Sequence, residues 1–537
     1  MERSPRFYSL PQPTEKFQMN HSPEYDVAVI GAGISGIVTA KCLLDDKFNI
    51  IVYEMSDHVG GLWQFTEDGY GVMRFTTMVA SKQNDCFSDF PFPDHVPDYP
   101  SHTHMAEYIK SYTKQFGLEK HICFNTKVVK IEKVAEGWKM ITVEVDNKGK
   151  HKSEYKETFV KFVAIASGHH AKPSIPQFEG QETFDGRIFH SRTYKDAITN
   201  DLVGKKVVVV GIGNSAVDVA VNVTELGGEK PVNISSRSGA WIVPNYIFGF
   251  PADHYATRLF FWLPRSISSF LFEFMIQCVT GSPWQWKLNP KMHARQTQPT
   301  INSTLIYHIQ RQNIVVRPNI AALKKDKVIF TDGSQTTADA VVCCTGYQID
   351  LPFFDSDIKD LVVDESTNQI KLFKNVFAPD IGPSLAFIGL VQPSSGGLLS
   401  ISEIQARWFS ELCKGSVKLP SAEKMRQKFA RDKQSSEGIY YASPRHTIQQ
   451  DPMTYNDEIA SYFGAKPQLW KHPSLAWNLV VGSCGAAQYR LQGPHKWKRA
   501  REVVRSVPVT PVMHYTALFL LLGLLFITVF VFYKTLF

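Results

Sequence analysis

The chain has 537 residues, 44% of them hydrophobic and 20% charged, with a net charge of +7. That length exceeds one compact core and divides into two or three domains, and a mild positive excess with no dense basic cluster among aromatics excludes a nucleic-acid partner. The cysteines Cys42, Cys86, Cys123, Cys278, Cys343, Cys344, Cys413 and Cys484 form neither a C-x-x-C pair nor metal-ligand spacing, which excludes a cysteine metal site and points to a reduced, cytosol-facing body.

Residues 1–24 are polar and proline-containing and read as a flexible leader with no secretory signal. An apolar strand then runs into Gly31-Ala32-Gly33-Ile34-Ser35-Gly36, after which the pattern turns helical. Strand, glycine turn and helix in that order are the context of a dinucleotide fingerprint. Glycines let the backbone approach a pyrophosphate, which sits on the helix N-terminus. The next strand, Ile50 to Glu54, ends in a carboxylate suited to a bare ribose diol. A lysine-rich stretch from Asp146 to Lys156 reads as an exposed hairpin tip, and the strand Phe159 to Ala166 ends in Ser167-Gly168-His169-His170 before a proline-marked crossover.

A second fingerprint follows at Gly211-Ile212-Gly213-Asn214-Ser215-Ala216, with alanine at the third glycine position, a form the motif tolerates. Its companion strand, Val232 to Arg237, ends in hydroxyls and a guanidinium, which welcome a 2′-phosphate. The residues thus suggest FAD at the first loop and NADPH at the second. The stretch Trp241 to Trp286 is rich in Trp, Phe and Pro, has no clear period, and reads as partly helical and partly membrane-associated. The segment Ala340 to Tyr347 is expected to return the chain to the first domain. From Thr516 to Tyr533 there is no charge, which meets the lower limit for a membrane-spanning helix. Lys496, Lys498, Arg499, Arg501 and Arg505 upstream keep the body cytosolic by the positive-inside rule.

The segment Phe184 to Lys195 resembles the F-x-G-x-x-x-H signature of class B flavin monooxygenases and, like it, precedes the second loop. Its ending, Tyr194-Lys195, resembles the flavin-containing monooxygenases of the dimethylaniline monooxygenase type more than the Baeyer–Villiger enzymes. Gly60 to Trp63, Asp89 to Pro93, Arg237 to Trp241, Gln298 to Asn302, Gly389 to Pro393 and Ile401 to Glu403 also match. The resemblance runs from about residue 25 to the C-terminal apolar stretch. It implies an α/β fold with two Rossmann-like domains, for FAD (25–170 and 331–430) and NADPH (171–330), the second inserted in the first. A C-terminal region (431–510) and a membrane anchor (514–534) complete the chain.

Residue by residue, Gly31, Ala32, Gly33, Ile34, Ser35, Gly36, Glu54, Gly61, Leu62 and Trp63 are expected at FAD. Gly211, Gly213, Asn214, Ser215, Ala216, Val217, Asp218 and Arg237 are expected at NADPH. His190 is expected to brace the hinge between the domains. No metal is expected. The implied reaction is NADPH-driven oxygenation of soft nitrogen or sulfur nucleophiles of small molecules by O2, through a C4a-hydroperoxyflavin. The alternatives are Baeyer–Villiger oxygenation of ketones, largely uncoupled NADPH oxidation to H2O2, and an FAD-holding redox sensor without turnover. The expected location is the endoplasmic reticulum or microsomal membrane, and oligomeric state stays open.

One departure bears on the chemistry. The family places an asparagine ahead of its Ser-Lys pair, beside the flavin. Anchored on Ser81-Lys82, this chain has Val79 there, and valine donates no hydrogen bond. Thr77 and Ser81 are the neighbouring donors, so Val79 and Ser81 mark the catalytic segment.

Overall fold

The computed structural model describes residues 24–146, 149–441, 447–483 and 485–536. The expected leader lies outside the described residues apart from Glu24, as do two residues at the lysine-rich hairpin tip.

The first sheet has seven strands. β1 (Tyr25–Ile30) and β2 (Ile50–Tyr53) are parallel, with Val27 opposite Ile50, and α1 (Ile34–Asp45) connects them. β3 (Ile122–Cys123) extends the parallel side, while β4 (Thr126–Val134), β5 (Gly137–Glu144) and β6 (Lys156–Ile165) form an antiparallel meander. The order is β3-β2-β1-β6-β5-β4. β6 is ten residues long. Its first half pairs with β5, and its last three residues take Leu385–Phe387 as a parallel neighbour. β2 is buried along its whole length, and so are the last four residues of β1. Such continuous apolar runs suit a parallel sheet covered on both faces. One face packs on α1, on α2 (His102–Gln115) and on the helix Leu398–Cys413, whose Trp408 and Phe409 are fully buried. The other face, which includes Trp138 and Met140 of β5, packs on Ile349, Leu351, Phe353, Phe354, Val362 and Leu372.

The chain leaves this sheet through β7 (Lys172–Pro173) and enters a second, five-stranded parallel sheet. β8 (Arg187–His190) lies at one edge, followed by β9 (Lys206–Val210), α3 (Asn214–Glu225) and β10 (Glu229–Ser235). Ile314–Arg317 pairs with β10, and Ala340–Cys343 lies between β9 and β8. Ala340–Cys343 corrects the sequence expectation that the inserted unit ends at 330. Its four residues are buried, and only a position between two strands satisfies both of their backbone edges. The chain crosses back beyond it, where Tyr347–Gln348 pairs antiparallel with β7 and the Thr345 hydroxyl meets the Ser174 carbonyl. Both crossings thus form one short ribbon between the sheets.

The aromatic stretch after β10 resolves into short strands and two helices, α4 (Arg258–Trp262) and α5 (Arg265–Thr280). Its lack of period has a physical cause. Trp241, Val243, Ile247, Tyr255 and Phe260 pack not on either sheet but on Val481, Met513 and Ala517, at the base of the last helix, Pro511–Leu536. That helix contains one span, Pro511–Val529, long and apolar enough to cross a membrane.

Candidate functional site

At the first loop, Gly31 has φ +101°, a conformation that side chains strain, and a Cβ there would lie 2.7 Å from the Ala166 carbonyl oxygen. A Cβ on Gly36 would lie 1.8 Å from the Gly31 carbonyl oxygen, so the loop cannot close on α1 with any larger residue. Gly33 is the N-cap of α1 and brings no side chain to the first turn, which leaves its amides for an anionic ligand. The other first-loop candidates converge here. Glu54, buried at the end of β2, accepts from the Ala32 amide at 2.6 Å with one oxygen and from the Ser56 amide and hydroxyl at 2.8 and 2.7 Å with the other. A carboxylate has about four acceptor sites, so capacity for a ribose hydroxyl remains. The Gly60 amide donates to the Ala32 carbonyl at 3.0 Å, which seats the short turn Gly61–Trp63 against Gly33; Trp63 packs its ring on the core beneath. The Ser35 hydroxyl lies 2.9 Å from that of Ser402 and fixes the start of α1 to the helix Leu398–Cys413.

The second loop repeats the geometry with one difference. Gly211 has φ +118°, and a Cβ there would lie 2.5 Å from the Cys344 carbonyl oxygen. The Ala216 methyl is buried without conflict, so α3 sits farther from its turn than α1 does. The Gly211 amide donates to the Ser235 carbonyl at 2.9 Å, which ties the loop to the end of β10 two residues before Arg237. Arg237 is exposed. Thr300–Asn302 clamps the start of α3: Thr300 donates to the Ile212 carbonyl, the Ile301 amide to Asn214 Oδ1 at 2.7 Å, and Asn302 to Asp218 Oδ1 at 3.3 Å. Burial raises the Asp218 carboxyl to about 7, against the Asn302 bond that lowers it. Ser215 is exposed beside them, and Val217 is in the core.

Between the two loops, at the carboxyl end of β8, His190 Nδ1 accepts the Arg192 amide at 3.0 Å, and its ring lies edge-on to Tyr347 of the ribbon at 5.1 Å. Burial holds its pKa below the usual histidine range. His169, after β6, is pushed by burial down to about 4. Both imidazoles are therefore neutral near pH 7.

The segment ahead of Lys82 divides sharply. Met78 is buried in the same core as Ala32 and Ile37, while Val79 is 37% exposed. Ser81 is fully buried, and its amide and hydroxyl both donate to Asp253 Oδ2, at 2.8 and 2.9 Å. Ser81 is thus turned away from the exposed side that Val79 faces and has no proton left to offer there. Asp253, 172 residues away in the aromatic insertion, was invisible to sequence spacing. A further acidic group, Asp46, Glu411 and His495, is close enough to hold a cation. Lys414 already fills that role, with Nζ at 2.8 Å from Asp46 and 2.9 Å from Glu411.

Comparison with known proteins agrees with this geometry. The family described as flavin-binding monooxygenase-like matches residues 24–507. Flavin-containing monooxygenase 5 of Rattus norvegicus is 35% identical over 501 residues, covering 89% of this chain and 91% of the relative. Dimethylaniline monooxygenase [N-oxide-forming] 2 of Oryctolagus cuniculus is 33% identical over 501 residues, covering 89% and 90%. Among solved structures, the S-allyl-L-cysteine S-oxygenase of Allium sativum superposes with a TM-score of 0.61 at 20% identity, over 90% of this chain and 98% of that one.

Proposed function

This chain belongs to the flavin-binding monooxygenase-like family, and from that premise we propose that it transfers one atom of O2, at the expense of NADPH, to a soft nitrogen or sulfur of a small molecule. As a member it is an FAD-dependent monooxygenase, and FAD and NADPH are its cofactors. The observation that carries the reading is the pair of glycine loops at the carboxyl ends of the parallel strands of two sheets joined by one ribbon, the first beside Glu54 and the second bonded to β10 two residues before Arg237. When bound, the two cofactors supply hydride transfer and oxygen activation.

The residues supply binding and orientation. The uncapped start of α1 takes a pyrophosphate, and Glu54 takes a ribose diol while holding the loop through Ala32. The start of α3 takes the second pyrophosphate, and Arg237 pairs with the 2′-phosphate. Asp218, half protonated near pH 7, can meet an anionic ligand without full repulsion. His190 braces the ribbon between the two units.

A second reading, NADPH oxidation with H2O2 release, draws on a specific observation: Val79 offers no donor, and Ser81 is bound to Asp253. The test is a parallel incubation with NADPH, O2 and either N,N-dimethylaniline, methyl phenyl sulfide or cyclohexanone. The N-oxide or sulfoxide, formed in step with NADPH loss, is the expected product. A lactone from the ketone alone would replace the reading with Baeyer–Villiger oxygenation, and H2O2 without product would replace it with the oxidase.

The C-terminal helix is read as an anchor in the endoplasmic reticulum or microsomal membrane, with the body in the cytosol. Its span rises about 28 Å, the thickness of a bilayer core. In the insertion that packs on its base, Trp262, Ile267, Phe270, Phe274 and Trp284 are each about half exposed or more, and Phe270 stacks on Phe274; such exposed apolar side chains suit the bilayer surface.

A further inference from the structure

Asp253 is a costly residue to keep. It is 8% exposed, and while Oδ2 accepts both protons of Ser81, Oδ1 is buried without a hydrogen-bond partner; both ring nitrogens of the next residue, His254, are equally unpartnered. Burying a polar atom unsatisfied disfavours folding, so stability alone does not explain a carboxylate here. Its position offers another explanation. On one side, Asp253 lies between Ala252 and Tyr255, members of the apolar cluster that includes Met513 and Ala517 at the base of the membrane helix. On the other, it holds Ser81, and its carbonyl accepts from Asn84 at 3.1 Å. The Met78–Lys82 segment is also held from its own domain: Met78 donates to the Pro100 carbonyl at 2.8 Å and Lys82 to the Asp98 carbonyl at 2.7 Å through the backbone, Lys82 Nζ donates to the Asp94 carbonyl at 3.0 Å, and the Met78 side chain is buried in the core. None of these comes from the aromatic insertion, so the direct tie between the insertion and the segment that carries Val79 is the pair of bonds from Ser81 to Asp253.

We propose that Asp253 is a positioning residue through which the aromatic insertion, where it meets the bilayer, sets the conformation of the Met78–Lys82 segment and with it the split between oxygen transfer and H2O2 release. The proposal rests on the reading above that this segment borders the flavin. A displacement of the insertion on lipid reaches Ser81 through one carboxylate oxygen. Removing that oxygen cuts the insertion's hold on Ser81, whereas asparagine, whose carbonyl oxygen also accepts two bonds, preserves it.

The test compares the full-length holoenzyme in detergent micelles and in phosphatidylcholine vesicles, by visible circular dichroism of the bound flavin and by H2O2 released per NADPH. In the wild type both readings change between the two media, the H2O2 ratio by about two- to tenfold, the equivalent of part of one hydrogen bond to a charged group. Asp253→Ala and Ser81→Ala each abolish the change, the double variant does no more than either, and Asp253→Asn retains it. A wild type insensitive to lipid, or a flavin-replete Asp253→Ala that still responds, overturns the proposal. If Asp253→Ala fails to accumulate, Ser81→Ala decides by the same criterion. Flavin content and anaerobic reduction by NADPH in the wild type separate the two failures. A protein that lacks either fails the proposed function, and one that has both while Asp253→Ala still responds fails only this inference.

Discussion

Glu54 Oε2 and the Ala32 amide, 2.6 Å apart, make the end of β2 and the first glycine loop a single unit. The carboxylate holds the loop, and on the proposed function it also takes the ribose diol of FAD. A hydrogen bond to a charged group is worth about 1.5–3 kcal/mol. Glu54→Ala is expected to yield protein that loses flavin on dilution, with Glu54→Gln intermediate because it keeps one acceptor oxygen. The check is the flavin-to-protein ratio after passage through FAD-free buffer; full occupancy in Glu54→Ala removes the residue from the site.

Arg237 should select the cofactor. Its exposed guanidinium follows β10 just beyond the bond from Gly211 to Ser235. Losing one charge-assisted pair of about 1.5–3 kcal/mol corresponds to about a ten- to hundredfold rise in the Michaelis constant for NADPH in Arg237→Ala. NADH, without the 2′-phosphate, should be almost unaffected. Equal losses with both cofactors would contradict the assignment.

Two buried carboxyls should contribute less to stability as pH rises across the weakly acidic range, against the depressed His169 and His190, whose contribution has the opposite sign. Burial raises both Asp218 and Asp85 to about 7, from the 3.8 of an exposed aspartate. Between those values the folded state binds more protons than the unfolded state, so the contribution of each group decreases from about pH 4 to pH 7 and levels off above. Over that window the melting temperature of the double variant Asp85→Asn with Asp218→Asn should rise relative to that of the wild type at the same pH. A difference that does not change with pH would show that neither carboxyl titrates there.

Membrane attachment should have two components. Truncation before Pro511 removes the apolar C-terminal helix, yet the face of α5 that carries Phe270 and Phe274 remains. Each phenylalanine transferred from water contributes about 1.5–3 kcal/mol. The truncated protein should sediment partly with phosphatidylcholine vesicles, and adding Phe270→Ser and Phe274→Ser should release it. Complete release by truncation alone would leave the aromatic face without a membrane role.

The strand–turn–helix form of the two glycine loops was legible because it is local: a turn, a strand end and a helix start separated by fixed short spacings. The apolar terminal stretch was legible for the same reason. The hold of Asp253 on Ser81 and the approach of Ser35 to Ser402 span 172 and 367 residues, and no local pattern encodes either. Ala340–Cys343 was placed with the wrong sheet because a short buried run of Val and Cys suits either one. The Trp241–Trp286 stretch concealed its helices because both flanks of α5 are apolar, one against Met513 and one exposed.

The division of labour between the loops is tested most directly by anaerobic reduction of the bound FAD, with wild type and Gly211→Ala compared in one stopped-flow series. A methyl at residue 211 meets the Cys344 carbonyl at 2.5 Å in a backbone conformation strained for alanine, at a cost of about 1–3 kcal/mol. NADPH should reduce the wild-type flavin fully. The variant should keep its FAD and be reduced by dithionite, but by NADPH about ten- to hundredfold more slowly at subsaturating cofactor. A flavin-replete wild type that NADPH does not reduce, or a Gly211→Ala protein reduced at the wild-type rate, would contradict the assignment of FAD to the first loop and NADPH to the second.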